Sequence, residues 1–196
     1  MNPNLLEKPA SQVVEQRLTL SGVTWEQYET LRSTLDDFPG LRMTYLEGTL
    51  EIFMPSPKHE RIKTTIARLI ELYSIDTNTR VYGCGSTTYR KKAKERGLEP
   101  DESYCVGEVK EFPDFAIEVI ITSGSIDKLD VYQGLGIPEV WFWEDDKVSL
   151  YQLREEKYEL INRSTFLPDL DIDLLVRCAN IADQYDAVVE FRNALR

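Results

Sequence analysis

The sequence predicts a mixed α/β (α+β) protein in which a β-sheet is flanked by helices. Three observations carry this. Residues 115–121 are almost entirely apolar, as in a strand covered on both faces. A strand–helix–strand unit runs from there to 143, which favours parallel pairing. Two helix starts carry capping signals, Thr24-Trp25-Glu26-Gln27 and Ser56-Pro57.

In chain order, residues 1–15 are polar and contain proline, which suggests an arm that gains order only by docking. Residues 16–20 can form a short edge strand. Trp25, Tyr28, Leu31 and Leu35 stand at helical spacing, which predicts a helix over 24–36, ended by Asp36-Asp37 and Pro39-Gly40. Residues 41–54 alternate around Glu47-Gly48 as a β-hairpin does. In the helix opened by Ser56-Pro57, Ile62, Ile66, Leu69, Ile70 and Tyr73 form the buried stripe. Residues 80–89 and 98–106 read as two strands joined by the basic loop Arg90-Lys91-Lys92-Ala93-Lys94-Glu95-Arg96-Gly97. A helix over 126–135 stops at Gly136, and a strand follows Pro138 through Val140-Trp141-Phe142-Trp143, whose tryptophans read as core packing. Residues 148–153 and 158–161 continue a meander, and 181–195 form a closing amphipathic helix. No internal repeat or low-complexity segment interrupts this order.

Composition limits the function. With 196 residues, 42% of them hydrophobic, the chain suits one domain over 1–196 with one substantial core. A net charge of −11, from 34 acids and 23 bases, repels polyanions at long range and argues against tight DNA binding. Cys84, Cys105 and Cys178 form neither a disulfide framework nor a thiolate zinc motif, and they suit a reducing cytoplasm. Met1-Asn2-Pro3-Asn4 has no features of a targeting signal, and no apolar run is long enough for a membrane span.

The chemistry gathers between residues 98 and 143. Along a strand over 115–121, Asp114, Ala116, Glu118 and Ile120 face one way, and Phe115, Ile117, Val119 and Ile121 the other. An acid on such a strand must be paired, metal-bound or neutralised. If the preceding strand lies alongside, Asp101 projects toward Glu118, and two carboxylates near one point suit Mg²⁺ or Mn²⁺. Asp114, after Pro113, fits a turn acid better than a ligand. His59 is the single histidine, and a lone histidine is more often a cap or a surface hydrogen-bonding group. The basic loop residues Arg90, Lys91, Lys92, Lys94 and Arg96 can grip a phosphate backbone or simply be solvated.

The run Pro100-Asp101, Pro113-Asp114-x-x-x-Glu118-Val119, Asp127-Lys128-x-x-x-Tyr132 and Gly136-Ile137-Pro138-Glu139-Val140-Trp141 resembles the Uma2 family of restriction endonucleases, a branch of the PD-(D/E)XK nuclease superfamily. Residues 45–60, with Met54-Pro55-Ser56-Pro57 and His59, join the resemblance, which spans roughly residues 24–153. It implies a restriction-endonuclease-like mixed sheet with an N-terminal helix and hairpin extension, the nuclease core lying at about 41–153. It further implies Mg²⁺ (or Mn²⁺) held by Asp101, Glu118 and the carbonyl of Val119, with DNA as substrate and a homodimer if both strands are cut. Glu60 is a further ligand position by analogy, and His59 and Asp114 are supporting candidates. The lysine that the superfamily places two residues after Glu118 is here Ile120. Lys128, four residues before Tyr132, is the residue whose ammonium can return to the carboxylates. The alternative is a catalytically inactive nuclease fold retained as a binding or scaffold module.

Overall fold

The computed structural model describes residues 14–38 and 40–195; the expected arm over residues 1–15 falls almost wholly outside them, as does Pro39 of the expected helix break. The chain begins with β1 (Gln16–Ser21), α1 (Trp25–Leu35), β2 (Arg42–Leu46), β3 (Thr49–Met54) and α2 (Pro57–Asp76). The capping box at Thr24 is complete, since its hydroxyl accepts from the Gln27 amide and the Gln27 side chain accepts from the Thr24 amide. Ser56 caps α2 by accepting from the His59 amide at 3.2 Å, and the expected stripe from Ile62 to Tyr73 is buried.

Four short strands follow: β4 (Val81–Gly83), β5 (Tyr89–Lys91), β6 (Arg96–Leu98) and β7 (Glu102–Val106). They correct the expectation of two strands over 80–89 and 98–106, because β4 and β7 pair with each other while β5 and β6 pair in a different sheet. The chain changes sheet at 84–88 and again at 99–101, where Pro100 has no N–H to give to a ladder. The basic loop is therefore itself the tip of the β5–β6 hairpin.

After β8 (Phe115–Ile120) come α3 (Lys128–Leu135), β9 (Glu139–Glu144), β10 (Lys147–Arg154) and β11 (Lys157–Ile161). Asp127 caps α3 through the Leu129 amide, so the helix starts two residues later than expected. Gly136 ends it in the left-handed conformation at φ 75° that glycine adopts without cost. The chain closes with α4 (Ile172–Ala179) and α5 (Gln184–Ala194). α4 was not expected, and Asp183 shortens the helix expected over 181–195 by capping at the Tyr185 and Asp186 amides.

Two sheets result. The mixed sheet has the order β11-β10-β9-β8-β7-β4, with β8 and β9 parallel and the other pairs antiparallel. The second, antiparallel sheet has the order β1-β3-β2-β6-β5, so the hairpin extension grows into a layer of its own. This is a restriction-endonuclease-like α+β architecture. The faces of β8 separate as alternation requires. Phe115, Ile117 and Val119 pack with Trp141, Trp143, α2, α4 and α5, whereas Ala116 packs with α3 and with Tyr89 and Leu98 of the second sheet. Phe115 stacks between Tyr104 and Trp141 with ring centroids 5.0 Å apart on each side. Among the described residues, no helix is long and apolar enough to cross a membrane.

Candidate active site

β7 runs antiparallel to β8 with Glu102 opposite Ile117, and this register brings Asp101, just ahead of β7, level with Glu118. Asp101 Oδ2 accepts from the Val119 amide at 2.8 Å, which ties the first acid to the strand of the second. Both carboxylates are buried, Asp101 at 2% and Glu118 at 0% exposure.

Each has a cationic neighbour from a helix. The N-terminal turn of α2 aims His59 at Asp101, with Nε2 3.0 Å from Oδ2. The N–H direction is off the line to that oxygen, and Nδ1 has no hydrogen-bond partner, so the contact acts as a charge pair when the ring is protonated. From α3, Lys128 donates to Glu118 Oε2 and Tyr132 donates to Oε1, each at 2.5 Å. Lys128 and Tyr132 are four residues apart and so share one helix face. Between them they use both oxygens of one carboxylate.

The charges are unequally stabilised. Burial pushes the Glu118 carboxyl up, Lys128 pulls it down and Asp101 pushes it up again, with a net rise to about 7. Burial also opposes charge on Asp101, but His59, Lys128 and the Val119 amide outweigh it and hold that carboxyl at about 2. Burial disfavours the Lys128 and His59 cations, and the acids overcome this and raise both. Tyr132 is pushed well above the usual phenol range, first by burial and then by Glu118, so it remains a donor.

The other candidates lie apart from this cluster. Glu60 is 40% exposed and pairs with Lys63 at 2.8 Å; its Oε1 stands 3.9 Å from His59 Nδ1. Asp114 accepts from the Val106 amide and from Lys110, both at 2.7 Å, and so pins a turn at the other end of β8, about 13 Å along the strand from Glu118. In the basic hairpin, Arg90 pairs with Glu29, Lys92 with Glu26 and Arg96 with Glu47, while Lys91 donates to the Leu135 carbonyl. Most of its charge is neutralised within the chain.

Beside Lys128 a cavity of about 280 Å³ opens at the C-terminal end of β8, lined among others by Arg17, Glu51, Ile120, Gly124 and Phe142. Ile120, two residues after Glu118, lines it together with Lys128, whose ammonium reaches Glu118. Arg17 and Glu51 were not expected here. Tyr132 was quoted in the motif without a role, although its spacing from Lys128 already placed both on one helix face.

Among the described residues, no three His, Cys, Asp or Glu side chains are placed to share a metal ion. Two neighbouring buried carboxylates beside a strand backbone fit the donor chemistry of a hard cation, which takes carboxylates, a backbone carbonyl and solvent. The deep burial of two acids whose charges oppose each other is the observation behind that fit.

Among known proteins, the family Uma2, described as "Putative restriction endonuclease", matches residues 25–179. That span reaches from the first residue of α1 to the last of α4, well over half the chain, and leaves out β1 and α5. Comparison with curated proteins gives no match.

Proposed function

We propose that this chain, which belongs to the Uma2 family, is a metal-dependent endonuclease that hydrolyses phosphodiester bonds of DNA. The observation that carries this is the arrival of the Lys128 ammonium on Glu118, next to Asp101, from a helix rather than from the strand. In the proposed site Asp101, Glu118 and the carbonyl of Val119 would hold Mg²⁺ or Mn²⁺. When bound, the cation would lower the pKa of a water and neutralise charge on a phosphate oxygen.

The protein's own groups do the rest. Tyr132 fixes one oxygen of Glu118 and so sets the direction of the other. Lys128, held beside the carboxylates, would donate to the phosphate oxygens as charge develops, a contribution of about 10²–10³ in rate. His59 favours the ionised form of Asp101, and the Val119 amide fixes its orientation. Cutting both strands would call for a homodimer, and the enzyme would act as one domain in the cytoplasm, whose reducing conditions suit its three thiols.

A second reading, a binding or scaffold module on the same fold, is favoured by Ile120, by the net charge of −11 and by the internal pairing of the hairpin cations. Titration calorimetry with Mg²⁺ and Mn²⁺ separates the two. The parent is expected to bind and a Glu118→Ala variant to lose binding, with cleavage of plasmid, single-stranded or branched DNA following the metal. A parent that binds neither ion rules out the catalytic reading.

A further inference from the structure

The loop over 121–127 joins Glu118's strand to Lys128's helix, and it is fastened to the second sheet. β1 and β3 pair with Thr19 opposite Glu51 and Arg17 opposite Phe53, so Arg17, Thr19 and Glu51 share the face turned to this loop. Arg17 donates to the Thr122 carbonyl at 2.9 Å and pairs with Glu51 at 2.7 Å, its guanidinium lying 3.9 Å over the Phe53 ring. Glu51, 3% exposed, accepts from the Ser125 amide at 2.9 Å, and Thr19 and Ser125 share a hydroxyl hydrogen bond of 2.8 Å. The contact is close: a Cβ on Gly124 would stand 2.6 Å from Glu51 Oε2 and 3.1 Å from Arg17 Nη1, so the clamp side chains would have to shift to admit one.

We propose that Arg17 and Glu51 are positioning residues that clamp the β8–α3 loop and thereby hold the Lys128 ammonium on Glu118. The helix itself does not hold Lys128 there, because a cation in the first turn opposes the helix dipole. Only arginine fits the clamp position, since its planar fork reaches a carboxylate and a carbonyl together where lysine offers one point charge. The clamp strand β1 lies outside the family-matched span, whereas Glu51 lies within it. The catalytic consequence rests on the proposed nuclease reading; the mechanical one does not.

The test compares the full chain with Arg17→Met and with the charge-balanced Arg17→Met/Glu51→Leu pair, which leaves no buried unpaired carboxylate if the single variant folds poorly. The readout is acetylation of Lys128 by acetic anhydride, followed by mass spectrometry, with Lys147 and Lys157 as internal references. Lys128 is expected to label about tenfold faster in the folded variants, the references remaining unchanged, and Arg17→Lys is expected not to rescue. In cleavage assays kcat should fall by about tenfold while KM holds, since misplacement costs rate before binding. Equal Lys128 labelling in the parent and in a folded variant overturns the clamp whatever cleavage shows. Faster labelling in variants of a parent that cuts no DNA keeps the clamp and overturns the nuclease reading.

Discussion

Glu118 and Glu139 stand on adjacent parallel strands of one sheet, both with no exposed surface, yet their surroundings differ. Glu139, at the start of β9, accepts from the Trp141 indole and the Ser164 hydroxyl at 2.6 Å and from the Thr165 amide at 2.8 Å. Neutral donors share its charge, and it ties the segment after β11 to the core. Glu118, near the end of β8, meets an ammonium, a phenol and the field of a second carboxylate. The difference shows that burial of an acid is not by itself a functional signal. What sets Glu118 apart is a second, opposing charge held close by, at the strand end where α/β sheets place their loops and ligands. Asp101 and Asp114 repeat the lesson. Both follow a proline, but only the first shares its surroundings with another acid.

The largest effect should come from breaking the structural member. Glu139→Ala strands three buried donors and should cost about 4 kcal/mol in urea unfolding, while a folded remnant keeps metal binding. If Glu139→Ala instead abolishes metal binding at unchanged stability, the two acids have been assigned the wrong way round.

Next comes Lys128→Met, expected to raise the cleavage barrier by about 3–4 kcal/mol, a loss of 10²–10³ in kcat. Single-turnover kinetics at saturating metal measures it.

The third prediction concerns pH. The folded Glu118 carboxyl titrates at about 7 against an ordinary 4.5, so the fold holds a proton there that the unfolded chain has released. Its contribution to stability is full below the ordinary value and falls as pH climbs through about 7, by at most about 3 kcal/mol. His59, also raised, has the same sign. Asp101, lowered from 3.8 to about 2, has the opposite sign and loses its contribution only as pH falls through that range. Metal-free protein should therefore weaken from about pH 5 to about pH 8, and Glu118→Gln should flatten that slope. Mg²⁺ at a hundred times its dissociation constant should restore about 2.7 kcal/mol at the upper end.

The smallest effect is Tyr132→Phe, expected to cost about 1–2 kcal/mol of stability by leaving one Glu118 oxygen unpaired in the core. A larger fall in kcat than in stability would show that the phenol directs Glu118 toward its proposed ligand role.

Much of the fold was legible because its signals are local. The capping residues Thr24 and Ser56, the apolar stripe of α2, the alternation across Glu47-Gly48 and the unbroken apolar strand each follow from neighbouring residues. Where the reading missed, the cause was distance along the chain. Short strands such as β4 and β5 carry too few residues for a period, so their division between two sheets had no local mark. Arg17 and Glu51 were invisible as partners of the β8–α3 loop because more than seventy residues separate each from it.

By itself the sequence determined where helices start, which strand is buried on both faces, and the order in which Asp101, Glu118, Lys128 and Tyr132 occur. Only the tertiary structure decided that β7 and β8 pair in the register that levels Asp101 with Glu118, that α3 returns Lys128 to that point, and that Glu139 is satisfied by neutral donors instead. The physical reason is that capping and periodicity act within a few residues, whereas the state of a buried charge is set by whatever the fold brings within a few ångströms of it, from any distance along the chain.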